Sequence, residues 1–150
     1  MPKKQNKIKL SIVIPVLNEG KNLKVLLKIL KAVVDCNYEV LVAYDFVGDN
    51  SIPIVKNLQK NYPNLRLIHN NLGGGVINAI KSGVKSAIGK YVLVIAADDI
   101  GSLLSINDMV MLMYQGCELV NGTRYAYNGK HIGGVFLNSL ISRIANKLFY

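Results

Sequence analysis

Short runs of β-branched, apolar residues alternate along this chain of 150 residues with stretches in which apolar residues recur every three or four positions. Runs of the first kind are typical of buried parallel strands, and the second spacing is typical of helices that bury one face. We predict strands at residues 9–15, 39–44, 65–69, 91–96 and 118–121. We predict helices at residues 18–34, 53–61, 76–88, 106–114 and 135–150. Because strands and helices alternate with short links, the predicted fold is α/β, with a mostly parallel, doubly wound sheet and helices on both faces.

The composition fits one globular domain with an aliphatic core and a basic surface. The length corresponds to a single domain, 51% of the residues are hydrophobic, and tryptophan is absent. The 18 Lys and Arg residues outnumber the 9 Asp and Glu residues, which gives a net charge of +9. Lys21, Lys24, Lys28 and Lys31 are spaced to share one helix face. Such a surface attracts nucleic acid, anionic lipid or phosphorylated small molecules, unless the lysines serve only to keep the protein soluble.

The sequence predicts a cytoplasmic protein without a membrane span. Cys36 and Cys117 lack the spacing of a metal site and imply no disulfide framework, which fits a reduced compartment. The basic start followed by apolar residues imitates a signal peptide, but Pro15 interrupts a short run and no cleavage site follows. No run approaches the roughly 20 apolar residues of a transmembrane helix.

Polar residues follow the ends of the predicted strands, where ligands bind in parallel sheets of this kind. After the first strand, Asn18 is suited to cap the next helix, and Glu19 suits the positive end of that helix. After the second strand, we assign ligand binding to Asp45, whose carboxylate can accept hydrogen bonds from ribose hydroxyls. We assign helix capping to Asp49 in the same loop.

The loop after the fourth strand carries the adjacent carboxylates Asp98 and Asp99. Two carboxylates directly after a wholly apolar strand are unfavourable unless they have a partner. Mg²⁺ or Mn²⁺ can be held by one or two carboxylates together with substrate phosphates, and the metal then neutralises a departing diphosphate. We therefore predict a divalent-metal site here, with a solvated loop as the alternative. The glycine run at residues 73–75 matches neither a P-loop nor a dinucleotide fingerprint.

Five segments, in order, resemble the motifs of family 2 glycosyltransferases. They are SIVIPVLNE, EVLVAYDFVGDNS, NNLGGGVINAIKSGVKSAIGKYVLVIAADD, LVNGTRY and GGVFLNSLISRIANKLF. The last segment resembles the polyprenyl-phosphate branch, which includes dolichyl-phosphate mannose synthases. The resemblance covers nearly the whole chain and implies a GT-A type fold with a Rossmann-like sheet. It implies inverting transfer of a hexose from GDP-mannose or a UDP-sugar to a polyprenyl phosphate, with Mg²⁺ or Mn²⁺ as cofactor.

The resemblance also implies roles for individual residues. The positions that would contact the nucleotide sugar are Pro15, Leu17, Glu19, Ala43, Asp45, Ala97, Asp98 and Arg124. Asp98 would also hold the metal, and Arg124 would meet the diphosphate or the sugar with its fixed fork of donors, so these two are assigned as catalytic. Arg143, in the last predicted helix, would meet an acceptor phosphate.

A lipid-phosphate acceptor implies contact with a membrane. The predicted helix at residues 135–150 has an apolar face opposite Arg143 and Lys147. This pattern fits a helix lying at a membrane surface as well as one packed on the sheet. Together with the net charge of +9, it predicts peripheral attachment at the inner face of the membrane.

Some positions depart from the pattern of the family. Ala96 takes the place of the first Asp in the D-x-D motif, Ile100 replaces a metal-contact position, and Tyr44 replaces an Asp in the second motif. Members of the family also run well past residue 150. We therefore expect residues 1–150 to form the nucleotide-sugar-binding domain without the acceptor-side part.

Other functions stay open at this point. The first alternative is a truncated or non-catalytic module that binds a nucleotide sugar or a phospholipid. A nucleotidyltransferase would have a basic, glycine-rich loop after its first strand, and residues 16–19 do not form one. No basic-aromatic motif supports a nucleic-acid partner, so none is predicted.

Overall fold

The described structure is a parallel sheet flanked by helices. A computed structural model describes residues 7–122, and the chain divides into two compact units, residues 1–118 and 119–150. The elements of the first unit are β1 (Leu10–Val16), α1 (Gly20–Val33), β2 (Tyr38–Tyr44), α2 (Ser51–Leu58), β3 (Leu65–His69), α3 (Val76–Ser86), β4 (Tyr91–Val94), a 3₁₀ helix (Gly101–Ser105) and α4 (Ile106–Tyr114). The predicted α/β class with a parallel sheet is confirmed.

The strands lie in the order β3-β2-β1-β4, and every pairing is parallel. The chain builds the sheet from β1 outward to β3 and then returns to place β4 on the other side of β1. This reversal creates a topological switch point at the carboxyl ends of β1 and β4, which is where ligands bind in open α/β sheets. Val13 pairs with Val94 there, so the residues after β4 emerge beside the end of β1.

Alternate side chains of β1 face two different helix layers. Ile12 and Ile14 belong to the main apolar cluster, which also contains the buried leucines of α1, namely Leu23, Leu26, Leu27 and Leu30. Val13 points to the other side of the sheet, toward Gly83 of α3. α1 and α3 therefore cover opposite faces of the sheet. Full burial of each leucine contributes about 1.5–3 kcal/mol, so the α1 layer is a major source of stability.

One carboxylate is buried in the sheet on the α3 side. Glu39 of β2 is 2% exposed, and its Oε1 accepts hydrogen bonds from the Ser11 hydroxyl at 2.6 Å and the Ile88 amide at 2.9 Å. Arg66 Nη1 of β3 donates to Glu39 Oε2 at 2.7 Å and to the Ser86 carbonyl at 3.1 Å. Burial would raise the pKa of this carboxyl, but the hydrogen bonds from Ser11, Ile88 and Arg66 outweigh it and lower the pKa. The carboxylate thus joins three strands to the end of α3.

Several helix boundaries differ from the predictions by two residues or more. α1 begins at Gly20 rather than at residue 18, because Asn18 has a φ of 60°, which a right-handed helix excludes. α2 begins at Ser51 rather than at residue 53 and ends at Leu58. α3 ends at Ser86, whose carbonyl is taken by the Arg66 side chain. The predictions used local spacing alone, which reports neither the backbone angle of Asn18 nor the contact between Arg66 and the Ser86 carbonyl.

The strand predicted at residues 118–121 is wrong. This segment has no regular structure, and it pairs with no strand in the described part of the chain. Leu119, within this segment, is 85% exposed. The helix predicted at residues 135–150 lies outside the described residues.

Candidate functional site

The loop that leaves β1 and the loop that leaves β4 meet at the switch point of the sheet. Pro15 is half-buried near the end of β1, and Leu17 just beyond the strand is 64% exposed. Glu19 is half-buried, and its Oε2 accepts a hydrogen bond from Asn22 Nδ2 at 2.6 Å. Asp98 follows β4 and is exposed. The fold therefore brings these predicted ligand-binding residues to one edge of the sheet.

Two alanines that were predicted to contact the nucleotide are enclosed. Ala43 lies within β2, where it pairs in register with Pro15 and exposes no surface. Ala97 is buried after β4. Their contacts with a nucleotide stay predictions. The two predicted arginines, Arg124 and Arg143, lie outside the described residues.

The two carboxylates after β4 have different surroundings. Asp99 Oδ1 accepts a hydrogen bond from the Ser102 amide at 3.3 Å, which places Asp99 at the start of the 3₁₀ helix. Asp98 is exposed, and within residues 7–122 no hydrogen bond or ion pair engages its carboxylate. A carboxylate of this kind suits a divalent metal that is shared with substrate phosphates. The described residues contain no cluster of three metal-binding side chains.

The turn after β1 is held by side chains of the loop after β2. The amides of residues 18–20 donate in order to Asp49 Oδ2 at 3.0 Å, Ser51 Oγ at 2.9 Å and Asn50 Oδ1 at 2.9 Å. In return, Asn18 Oδ1 accepts a hydrogen bond from the Asn50 amide at 3.2 Å. The amides of residues 18–20 are therefore satisfied by another loop and are not available to bind a phosphate. We call these two linked segments, residues 18–20 and 49–51, the interlocked loops.

The contacts of the interlocked loops test two predictions, that Asn18 caps α1 and that Asp49 caps α2. The predicted cap of α1 by Asn18 is wrong, because Glu19 occupies the N-cap position and the Asn18 side chain reaches across to the other loop. Asp49 was predicted to cap α2. Its Oδ1 accepts a hydrogen bond from the amide of Ser51, the first residue of α2, at 2.7 Å, while Asn50 occupies the N-cap position. A Cβ atom on Gly20 would lie 2.8 Å from the Asn50 carbonyl oxygen, so this close approach requires glycine.

Asp45 holds the glycine-containing loop after β3. Its Oδ1 accepts a hydrogen bond from Asn70 Nδ2 at 2.8 Å, and its Oδ2 accepts one from the Gly75 amide at 2.7 Å. Asn70 is buried, donates to the Gly73 carbonyl at 2.7 Å, and accepts from the Ser82 hydroxyl of α3 at 2.9 Å. Each carboxylate oxygen can accept a second hydrogen bond, so Asp45 keeps capacity for a ribose hydroxyl. Sequence analysis did not single out Asn70, although an Asn between a strand and a glycine run is a usable signal for such a turn.

The contacts of Asp45 predict a specific response to acid. The hydrogen bonds from Asn70 and the Gly75 amide lower the pKa of Asp45 below its ordinary value of 3.8. The ionised carboxylate therefore stabilises the loop at pH values above 3.8, and this stabilisation is lost as the pH falls through the lower pKa of the folded state. The ¹H shift of the Gly75 amide, followed by NMR during acid titration, should have a midpoint below 3.8.

Two variants test whether the low midpoint of the Gly75 titration comes from the hydrogen bond between Asn70 and Asp45 or from a general effect of acid on the protein. Asn70→Ala should raise the midpoint of the Gly75 titration, because it removes the largest cause of the lowered pKa of Asp45. Asn71→Ala, at the exposed neighbouring position, should leave the midpoint unchanged. A midpoint at or above the ordinary value in the unaltered protein would contradict the prediction.

The fold and the site together define an α/β domain with acidic residues at the switch point of a parallel sheet, where ligands bind in open sheets of this kind. The sequence matches the family described as Glycosyl transferase family 2 over residues 11–139, and the chain belongs to that family. The predicted family membership is confirmed. Dolichol-phosphate mannosyltransferase of Pyrococcus furiosus is 30% identical over 137 residues, which cover 91% of this chain and 39% of that protein. The chain spans less than half the length of the curated relatives it matches.

Solved glycosyltransferase structures have the same fold. Residues 1–349 of TarS from S. aureus align with a TM-score of 0.61 and 24% identity, over 72% of this chain and 33% of that chain. Mannosyltransferase PcManGT from Pyrobaculum calidifontis, solved in complex with GDP-Man and Mn²⁺, aligns with a TM-score of 0.54 and 20% identity. That alignment covers 65% of this chain and 30% of the other. These likenesses confirm the predicted GT-A type of fold.

Proposed function

We propose that this chain forms the donor-binding domain of an inverting glycosyltransferase, which transfers a hexose from a nucleoside-diphosphate sugar. The observation that carries the proposal is the exposed Asp98 carboxylate, which has no protein partner within residues 7–122 and follows β4 at the switch point of a family 2 fold. GDP-mannose and a UDP-sugar are the candidate donors. The solved complexes of PcManGT with GDP-Man and of TarS with UDP-GlcNAc support these two classes of donor.

The donor would lie across the carboxyl edge of the sheet. Its base and ribose would lie toward Asp45, and its diphosphate toward Asp98 and Arg124. A divalent ion, Mg²⁺ or Mn²⁺, held by Asp98 would neutralise charge on the diphosphate. The amides of residues 18–20 are already engaged within the interlocked loops, so they would not hold the diphosphate, which would depend on Asp98 and on other residues.

The transfer step follows from the chemistry of the two substrates. An oxygen of the acceptor attacks the anomeric carbon of the sugar from the face opposite the diphosphate. The new carbon–oxygen bond forms as the bond to the diphosphate oxygen breaks, so the configuration at the anomeric carbon inverts and the nucleoside diphosphate leaves. A phosphate acceptor is already anionic and needs little help from a general base.

The proposed acceptor is a polyprenyl phosphate, and the proposed location is the inner face of the membrane. The relative from Pyrococcus furiosus that is named for dolichol phosphate supports this acceptor. Lysines at positions 21, 24, 28 and 31 are exposed along α1, where they would be attracted to anionic lipid. Arg143 would contact the acceptor phosphate. Among residues 7–122, no helix is both long enough and apolar enough to cross a bilayer.

Calorimetric titration of the full chain with GDP and with UDP, each with and without Mn²⁺, tests the donor proposal. We expect one of the two nucleotides to bind, and to bind only when Mn²⁺ is present. An assay for transfer from the matching sugar nucleotide to a short polyprenyl phosphate then tests the acceptor. Failure of both nucleotides to bind would contradict the proposal.

A second candidate function is nucleotide-sugar binding without transfer. The observation that favours it is Ala96, which stands where the D-x-D motif of the family has its first carboxylate. This candidate would be supported over the enzyme if the nucleotide bound in a metal-dependent way but neither transfer to an acceptor nor slow hydrolysis of the donor was detected.

A further inference from the structure

A cavity of about 200 Å³ opens at the amino edge of the sheet, the edge opposite Asp98. It lies where β2 and β3 begin, between the last turns of α1 and the segment that links α2 to β3. Leu27, Val40 and Leu65 form its apolar floor, and all three are buried. Of the residues that line the cavity, the functions proposed above use Lys31 alone, as one of the exposed lysines of α1.

The walls and rim of the cavity add aromatic and cationic groups to the apolar floor. Tyr38 and Tyr62 are half-buried in its walls. Lys31 is exposed at the rim, and its Nζ lies 5.2 Å from the centroid of the Tyr62 ring. The ammonium group therefore lies over the Tyr62 ring at the mouth of the cavity, where it can bind an anionic group of a ligand.

The described lining of the cavity carries a single charge. Among the lining residues within 7–122, Lys31 is the one cation, and there is no carboxylate. Burial raises the pKa of the Cys36 thiol and the pKa of the Tyr38 hydroxyl, so both groups stay neutral near pH 7. A ligand that fits this lining has an apolar, flat body and one negative group.

The volume limits the size of that ligand. An apolar cavity of about 150 Å³ accommodates benzene, whereas sites for drug-sized molecules are about 300–1,000 Å³. A cavity of about 200 Å³ is therefore too small for a nucleotide sugar, but it accommodates one ring with a short side chain. We propose that this cavity is a binding site for a small aromatic carboxylate, with the ring on the apolar floor between Tyr38 and Tyr62 and the carboxylate on Lys31.

The probe for this proposal is 3-phenylpropionate, titrated into the full chain and followed by ¹H–¹⁵N NMR. We expect the largest shift changes at Leu27, Tyr38 and Leu65, with the surroundings of Asp45 and Asp98 unaffected. The dissociation constant should be on the order of 1 mM or lower for a ligand of this size. The neutral analogue 3-phenylpropanol and the ringless anion propionate should each bind more weakly, by about tenfold.

Paired lysine variants test the charge contact without altering the core. Lys31→Gln should weaken binding of 3-phenylpropionate by about tenfold or more, since it removes a charge-assisted hydrogen bond. Lys28→Gln, one turn earlier on the same helix and outside the cavity lining, should leave binding unchanged. Both positions are exposed, so neither variant should unfold the protein. The proposal would be overturned if no shift changes occurred around the cavity at a ligand concentration ten times the expected dissociation constant. It would also be overturned if the Lys31→Gln variant bound 3-phenylpropionate as tightly as the unaltered chain.

Discussion

Asp98→Asn is expected to weaken Mn²⁺-dependent nucleotide binding by about 100-fold or more. The change removes the ionised carboxylate but keeps the size of the side chain. Loss of the groups that merely orient a metal ligand typically costs 10- to 100-fold in metal affinity, and here the ligand itself is lost. No group of three metal-binding side chains exists among the described residues that could hold the ion in its place. Calorimetry with the nucleotide that binds the unaltered chain measures the effect.

Asp99→Asn is the matched control for this experiment. The side-chain amide introduced at position 99 would still have an Oδ1 atom to accept the hydrogen bond from the Ser102 amide, so the start of the 3₁₀ helix should be retained. We expect this variant to bind the nucleotide within about threefold of the unaltered chain. Asp98 is exposed, so Asp98→Asn should change the free energy of unfolding by no more than about 0.5 kcal/mol. Unchanged metal-dependent binding in Asp98→Asn would remove the metal role from this residue.

Glu39→Gln is expected to lower the free energy of unfolding by about 2–4 kcal/mol. The neutral amide would turn one NH₂ group toward Arg66 Nη1 or toward the Ser11 hydroxyl and the Ile88 amide, and each arrangement leaves donors facing each other. Breaking a buried ion pair from one side typically destabilises by about 3–5 kcal/mol, and the 42% exposure of Arg66 places this pair at the lower end. Urea denaturation monitored by circular dichroism measures the change.

A double-mutant cycle shows whether the loss comes from this ion pair. Adding Arg66→Met to Glu39→Gln removes the unpaired cation, so the double variant should be less destabilised than the sum of the two single variants. Glu118→Gln, at an exposed position, should change the free energy of unfolding by less than about 0.5 kcal/mol. A Glu39→Gln variant as stable as the unaltered chain would show that the buried carboxylate is not needed.

The positions of the strands and helices were largely predictable, because apolar spacing along the chain reports which face each element buries. β3 and α4 have the predicted boundaries, and β1, β2 and β4 lie within two residues of theirs. The same rule could not predict the segment at residues 118–121. Its two apolar residues give the same sequence pattern whether or not a neighbouring strand is present to pair with them. The acidic residues at the carboxyl edge were predictable, because strand ends in parallel sheets converge on one edge.

What the sequence by itself determined is the order of the elements, the family, and the position of Asp98 directly after β4. Only the tertiary structure decided how distant polar groups pair. Asp49, Asn50 and Ser51 satisfy amides about 30 residues away, and Glu39 is reached by donors from β1, β3 and the end of α3. Local periodicity describes a residue's own helix or strand, whereas the partner of a buried polar group depends on which loops the fold brings together.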